Sequence, residues 1–514
     1  MSTLSFLVSS SPSSTSRTGT LRLTRSDGTS LSLNTPGLVT ATSRGVVPHL
    51  SPDLCAQTAA VRWVHTSFES FLDHNPTVPT LFQGKNALAC FLGHSPSTIL
   101  SLSLRDPGDV RLMPPNGDAH VSAVCVRGVR KVTPASWRSY VQSCDPDITF
   151  ALTDVPFTAP PYSQKRLIKS VERSLAWLAD VLRSDFTNTD HARPSNIFVH
   201  MAGGTEPAAR AAFSEGLVTA LYDKEAEAVK PLKTLDEGVA GYTFDLAPLR
   251  VTLGDRLLHH SKIAAALVPE TIETADLTEH TDNLIELMNA NLKPLPRDKP
   301  RLVNSCTGPH EILKMVKGVG VDLFDAAWAQ RAADIGIALD FQFPVPERLR
   351  NSAEQGDSPT GKWNIGYNLY DQAYAHDFHS LLCDDTLICP CIACTAAPSS
   401  LCLQHSIIDS PRVITSASPF TRAYLHHLLH THEMSSHALL TAHNLSVLDA
   451  FFGGIRKVLG RDGGNKVLVE EVRVFCDVYD ASSALFDQAL RCWAQVELAR
   501  GKGRLAREKV IDST

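Results

Sequence analysis

From about residue 145 onward, short apolar runs alternate with stretches of helical periodicity, and no other feature of the chain restricts its possible folds as much. Residues 148–152 read as a buried strand. A helix follows over 163–184, with Leu167, Ile168, Val171, Leu175, Leu178 and Leu182 at three- and four-residue spacings. The same pattern gives strands at 197–201, 239–243, 302–304 and 319–324, and helices at 206–222, 277–290 and 311–317. Strands joined by helices run parallel, because the return to the starting edge takes about the length of a helix. A closed (β/α)8 barrel and an open doubly wound sheet both satisfy this order. The chain has no nucleotide-type glycine loop, so the α/β fold expected is the TIM-type barrel. Asp154, Gly203, Gly204, Asp245, Cys306 and Asp325 fall just past the C-terminal ends of the strands, on the face that carries chemistry in barrel enzymes. Asp and Gly are also common wherever a strand ends.

With 514 residues, 43% hydrophobic and 20% charged, the chain can bury a large core and has the balance of a soluble protein. It contains no run of 18 apolar residues, so no integral membrane association is expected. The net charge of −6 bears on partners. A protein that held RNA by itself would show a basic excess, so any RNA contact here is local or shared with a partner. The clearest basic cluster is the tail, with Arg500, Lys502, Arg504, Arg507 and Lys509; a solvated helix end is the preferred reading of it. The first 26 residues are rich in Ser and Thr, carry Arg17, Arg22 and Arg25 and lack acids, a composition that fits a mitochondrial transit peptide. A hairpin is preferred, because residues 21–24 and 31–33 flank a turn at Asp27-Gly28, and a cytoplasmic protein is expected.

Twelve cysteines without a secretory signal argue for metal binding wherever they cluster. Cys389, Cys391 and Cys394 form such a C-x-C-x-x-C cluster. Soft thiolates and a fourth N or S donor suit tetrahedral zinc, and a complete set of four makes the metal structural. His443 is the best fourth ligand, since it lies on a helical run at 436–448 whose apolar positions point inward. His426, His427, His430, His432, His437 and Cys402 compete with it. The alternative is a group of free surface thiols. The organisation expected is a Ser/Thr-rich segment and hairpin (1–35), a barrel (36–380), a zinc-binding subdomain (381–464) with an insertion at 395–420, and a C-terminal helix with a basic tail (465–514). Residues 351–362 read as a surface loop.

Around the cysteines the sequence resembles the tRNA-guanine transglycosylase family, which carries C-x-C-x-x-C, then S/T-R-A-Y-hydrophobic-H-H-L, E and H-N. Here these are Cys389–Cys394, 421–428 (TRAYLHHL), Glu433 and His443-Asn444. The segments 298–302 (DKPRL), 308–313 (GPHEIL), 320–325 (GVDLFD) and 170–175 (SVERSL) also have counterparts. The resemblance covers roughly residues 145–460. It implies a zinc-bearing (β/α)8 barrel that exchanges guanine for a deazaguanine base in tRNA, and it assigns the fourth zinc ligand to His443. Base exchange needs a carboxylate nucleophile and a second carboxylate to manage protons. Asp325 matches the nucleophile. The D-S-G-G-F-Q motif of the acid/base is absent, and the corresponding stretch 90–107 has no Gly-Gly and no equivalent acid. Phe244-Asp245-Leu246 replaces the base-recognition G-G-L. Of the RNA-gripping P-T-R-x-A-R-x-G only Arg331 keeps its charge. Asp154 is a candidate for a guanine-binding acid.

A kept scaffold with a broken reaction centre looks like the accessory, non-catalytic subunit of eukaryotic queuine tRNA-ribosyltransferase. That resemblance implies a heterodimer with a catalytic subunit, tRNA bound through the complex, and queuine inserted at wobble position 34 of tRNAs with GUN anticodons. Asp325 would then be vestigial. The resemblance leaves open a peripheral place at the mitochondrial outer membrane. It also makes the helices around 421–428 and 436–459 the expected dimer face. The enzyme alternative is a self-sufficient transglycosylase using Asp325, with Asp106 or Asp109 supplying the lost proton transfer.

Overall fold

The computed structural model describes residues 2–9, 14–82, 84, 86–111, 113–155, 161–183, 196–253, 277–350, 356–382, 389–395 and 420–500. Cys402, most of the 395–420 insertion, residues 351–355 and the tail beyond residue 500 lie outside the described residues. Strands β1 (Thr3–Val8), β2 (Gly19–Thr24) and β3 (Ser30–Thr35) form an antiparallel sheet. The β2–β3 turn holds Gly28 at φ +89°, and Asp27 Oδ1 accepts the Thr29 N–H at 2.8 Å. The chain then enters the barrel through β4 (Gly37–Ala41), β5 (Trp63–Ser67) and β6 (Ile99–Ser103). A hairpin of β7 (Val121–Cys125) and β8 (Gly128–Val132) follows. The barrel resumes with β9 (Ile148–Phe150), β10 (Ile197–His200), β11 (Val239–Asp245), β12 (Arg301–Asn304) and β13 (Leu323–Asp325). All eight barrel strands pair in parallel, and β13 closes the ring on β4 with Leu323 opposite Gly37. The expected α/β barrel is the fold.

Helices α1 (Pro134–Cys144), α2 (Gln164–Val181), α3 (Pro309–Val319) and α4 (Ala327–Asp334) are among those around the ring. The apolar run at 319–324 is not one strand. Val319 ends α3, Gly320 turns the chain at φ +69°, and the strand begins only at Leu323. A Cβ at Gly320 would meet the Thr15 carbonyl oxygen at 2.2 Å, so the turn needs glycine for space as well as for conformation.

The barrel interior is layered. Trp63, Ile99, Ile148, Leu302 and Leu323 form an apolar floor against Leu21, Leu23 and Leu33 of the small sheet, which plugs that end. Above them Phe150 and Phe198 fill the middle; Gly241 leaves the room, since a Cβ there would lie 2.5 Å from the Phe198 ring. Buried charges fasten the plug. Arg17 is paired with Asp322 and donates to the Lys299 carbonyl at 2.8 Å, and Arg25 Nε donates to Asp147 Oδ1 at 2.7 Å. Two arginines of the Ser/Thr-rich start are thus spent inside the fold, 1% and 6% exposed.

Beyond the barrel, β14 (Ile337–Leu339) and β15 (Gly366–Asn368) pair, and α5 (Arg422–His430), α6 (Met434–Leu459) and α7 (Gly464–Val478) pack behind them. Among the described residues, α6 alone is long and apolar enough to cross a membrane, and 72% of its apolar window is buried inside the protein. It is a core helix here. Its Asn444 side chain accepts the Leu339 N–H at 2.9 Å and donates to the Ile337 and Ala329 carbonyls, which pins α6 to β14 and α4.

Candidate functional site

Two places carry chemistry, a cysteine–histidine cluster behind the barrel and the barrel's C-terminal mouth. In the cluster, the ligand atoms of Cys389, Cys391, Cys394 and His443 all lie within 4.8 Å of one another. The three Sγ atoms stand 3.8, 3.7 and 3.3 Å from His443 Nδ1. Tetrahedral coordination with metal–sulfur bonds of about 2.3 Å and metal–nitrogen bonds of about 2.0 Å puts S and N about 3.5 Å apart, so the donor set fits a metal ion. The knuckle closes on itself: Cys394 and Thr395 both donate backbone N–H groups to the Cys391 carbonyl, and Thr395 Oγ1 donates to the Cys389 carbonyl at 2.6 Å. His443 Nε2 donates to the Leu339 carbonyl at 2.9 Å, which fixes the tautomer with Nδ1 free for the metal. Four of the competing histidines have partners elsewhere, and His427 is exposed. His426 donates to the Leu369 carbonyl, His430 to Tyr370 and His437 to Ala333, while His432 pairs with Glu497.

At the mouth the strand ends turn polar. His65 on β5 contacts Ser101 through Nδ1 at 2.9 Å and Ser103 through Nε2 at 3.0 Å, both on β6. Burial drives the His65 pKa down to about 3, with nearby His200 adding to the shift, so the ring is neutral. His200 ends β10 and stands 2.9 Å from Asp245 Oδ2 at the end of β11; Asn304 on β12 donates to Asp245 Oδ1 at 2.7 Å. Asp325 ends β13, where Oδ2 accepts the Ser305 N–H at 2.7 Å. Its Oδ1 is buried without a hydrogen-bond partner among the described residues. Burial raises the Asp325 carboxyl to about 7, against the pull of Ser305 and Arg331. Glu69 is raised to about 7 by the same cause, although it accepts the Asp106 N–H at 2.9 Å.

The remaining candidates divide. Arg331, on α4, is an electrostatic neighbour of Asp325. Asp154 is fully buried, with Arg166 donating to both its oxygens at 2.8 and 2.7 Å and Arg173 and Asn116 adding bonds at 3.1 and 2.8 Å. A base would have to displace an arginine to use it. Cys306 is buried, and its thiol is pushed well up by burial. Where the family's acid/base motif would stand, β6 ends in Ser103, which accepts from or donates to His65 and donates to the Arg105 carbonyl at 2.5 Å. The loop after it, with Arg105, Asp106 and Asp109, helps wall a cavity of ≈ 40 Å³ together with Thr153, His200 and Asp245.

Sequence reasoning missed His65, Glu69 and the His200–Asp245 pairing. Strands β5 and β6 carry no apolar run, because Thr66, Ser101 and Ser103 are buried polar residues and His65 satisfies two of them. A strand that hydrogen-bonds inside the barrel does not announce itself by hydrophobicity. The available signal for His200 was its position as the last residue of an apolar strand.

The family model described as "Queuine tRNA-ribosyltransferase" matches residues 12–229 and 262–473. The chain belongs to the queuine tRNA-ribosyltransferase family. Its relatives include three proteins named queuine tRNA-ribosyltransferase accessory subunit 2. The protein of Aedes aegypti is 25% identical over 94% of this chain and 94% of its own length. That of Xenopus tropicalis is 26% identical over 86% and 92%, and that of Schizosaccharomyces pombe 25% over 88% and 79%. In this family frame the motif residues acquire distinct physical roles. The first aspartate of 320–325, Asp322, anchors the floor, while the second, Asp325, stands at the mouth. Lys299 of 298–302 binds Asp236 at 2.6 Å, and Glu311 of 308–313 pairs with Arg250 and accepts the Thr307 N–H at 2.8 Å. These are structural fastenings.

Proposed function

We propose that this chain is the non-catalytic accessory subunit of a queuine tRNA-ribosyltransferase. It pairs with a catalytic subunit as a heterodimer in the cytoplasm, and supports exchange of guanine for queuine at wobble position 34 of tRNAs with GUN anticodons. The observation that carries the reading is the mouth. Two-carboxylate base exchange requires a nucleophile and an acid/base at facing strand ends. Here Asp325 remains, but burial raises its carboxyl to about 7 and leaves one of its oxygens without a hydrogen-bond partner among the described residues. β6 ends in Ser103, bonded to His65 of β5, and the nearest acids beyond it are Asp106 and Asp109 of the following loop. The names of the relatives point the same way.

The metal of the cysteine cluster is Zn²⁺ on this reading. Three thiolates and one imidazole with no open position suit tetrahedral zinc in a structural role, and Cys389, Cys391, Cys394 and His443 would hold it. The heterodimer face lies on the outer side of α5. There Phe378, 74% exposed, and Tyr424, 45% exposed, flank Phe420, which stacks on Tyr424 at 5.7 Å. Most of α6 is buried, and its exposed positions include Met434 at its start and Ala450 and Lys457 further along.

The test is a labelled-guanine or queuine exchange assay on tRNA with this chain alone, the catalytic subunit alone, and both together. Activity only in the mixture is the expected outcome. Turnover by this chain alone would overturn the proposal and make Asp325 a working nucleophile.

A further inference from the structure

The β7–β8 hairpin stands at the mouth rim. Val121 at its base lines the mouth cavity, Glu69 Oε2 accepts the Val124 N–H at 3.3 Å, and β7 is buried, packing on the turn Phe68–Phe71. Five residue pairs run from Val121–Val132 to Cys125–Gly128. At 3.3 Å per residue the tip therefore lies about 13 Å from the cavity wall. From Gly128 to Lys131 every residue of β8 is exposed, and Val126 in the turn is 73% exposed. The exposed stretch 126–131 carries Arg127, Arg130 and Lys131 and no acid, in a chain whose net charge is −6. Beside the turn, Asp73 accepts the Arg127 backbone N–H at 2.9 Å and is an electrostatic neighbour of its guanidinium. Arg130 Nε donates only a long 3.4 Å bond to the Leu72 carbonyl. Among the described residues none of the three cations sits in an ion pair.

We propose that this hairpin, through Arg127, Arg130 and Lys131, grips the phosphate backbone of the tRNA. The inference rests on the accessory-subunit reading, which supplies the RNA. Solvated cations concentrated on one projecting strand are the electrostatic footprint of a polyanion, and an acidic chain that shares an RNA needs such a local patch. The stretch has no aromatic side chain, so it offers charge to phosphates and no platform for stacking bases. Lys and Arg on an exposed edge strand also guard against strand-to-strand aggregation, and the experiment separates that role from RNA binding.

The complex of this chain with the catalytic subunit is compared with one carrying Arg127→Ser, Arg130→Ser and Lys131→Ser together, and one with all three changed to Glu. Affinity for tRNA is followed between about 50 and 200 mM salt, beside kcat, KM and subunit association. Losing three phosphate contacts makes the slope of log K against log salt shallower by about 2–3, and raises the KM for tRNA about 10- to 100-fold in the Ser variant, more in the Glu variant. Subunit association and kcat stay within twofold. Unchanged slope and KM in an otherwise active complex would overturn the inference, as would subunits that no longer associate, which would make the hairpin a protein contact. Aggregation with unchanged tRNA affinity would overturn it in favour of the edge-guard role. A wild-type mixture without exchange activity would instead sink the accessory-subunit reading, and is recognised before any variant is made.

Discussion

The same eight strands end very differently at the floor and at the mouth of the barrel. At the floor the buried arginines that fasten the plug are paired, Arg17 with Asp322 and Arg25 with Asp147. At the mouth, three residues further along β13, Asp325 has one oxygen bonded and the other without a partner among the described residues. Desolvation raises both Asp322 and Asp325, but only Asp322 faces an arginine in direct contact. The difference separates charges that the fold uses as fastenings from a carboxylate at the mouth that the fold leaves half bonded. Charges at the N-terminal ends of barrel strands hold the structure, and those at the C-terminal ends serve a site. The cysteine–histidine cluster belongs with the floor, being complete in its donors and in the bonds behind them.

The comparison can be broken in four places. Cys391→Ser, or chelation of the native protein, should remove the metal and lower the melting midpoint on the order of 10 °C, since structural zinc contributes about 10 kcal/mol or more of apparent binding energy. Equal melting with and without metal would remove the cluster from the structural side. Asp322→Asn should cost about 3–5 kcal/mol in urea unfolding, because Arg17 stays buried without its counter-charge. A loss under 1 kcal/mol would show that the floor pairing is dispensable.

Asp325→Asn tests the mouth with the opposite sign. The unfolded carboxyl ionises near 3.8 and the folded one near 7, so its contribution is complete below about pH 4 and is lost as pH rises through 7. The Asn variant lacks that slope. Relative to wild type it should gain stability from pH 4 to 7, with an upper bound of roughly 4 kcal/mol. Parallel pH profiles for the two proteins would contradict the raised pKa. The smallest effect is expected for Asp325→Ala in the heterodimer exchange assay, with activity retained within about twofold. A loss of about a thousandfold would return Asp325 to catalysis.

Much of this was legible in the residues. The strand–helix alternation after residue 145 gave five of the barrel strands, because those strands are apolar. Strands β5 and β6 were hidden by the polar interior contacts of His65, Ser101 and Ser103. The spacing 389–394 marked a metal knuckle without help from the fold. His443 could be separated from its neighbours by sequence only through the family motif, whereas the structure separates it by distance: its Nδ1 faces three sulfurs, and other histidines of the region bond backbone carbonyls. The long apolar run of α6 could not be placed by hydropathy, and burial of its window in the core decides that here it is an interior helix.

The sequence by itself determined the parallel α/β architecture, the soft-metal donor set and the missing acid of the reaction centre, because periodicity, ligand spacing and motif loss are local properties of the chain. Only the tertiary structure decided what each charge does. Asp154 is neutralised by Arg166 and Arg173, Arg17 reaches Asp322 across 305 residues, and Arg25 reaches Asp147 across 122. A carboxylate's chemistry depends on whether water, a counter-charge or nothing stands beside it, and its neighbours in space are set by the closing of the barrel.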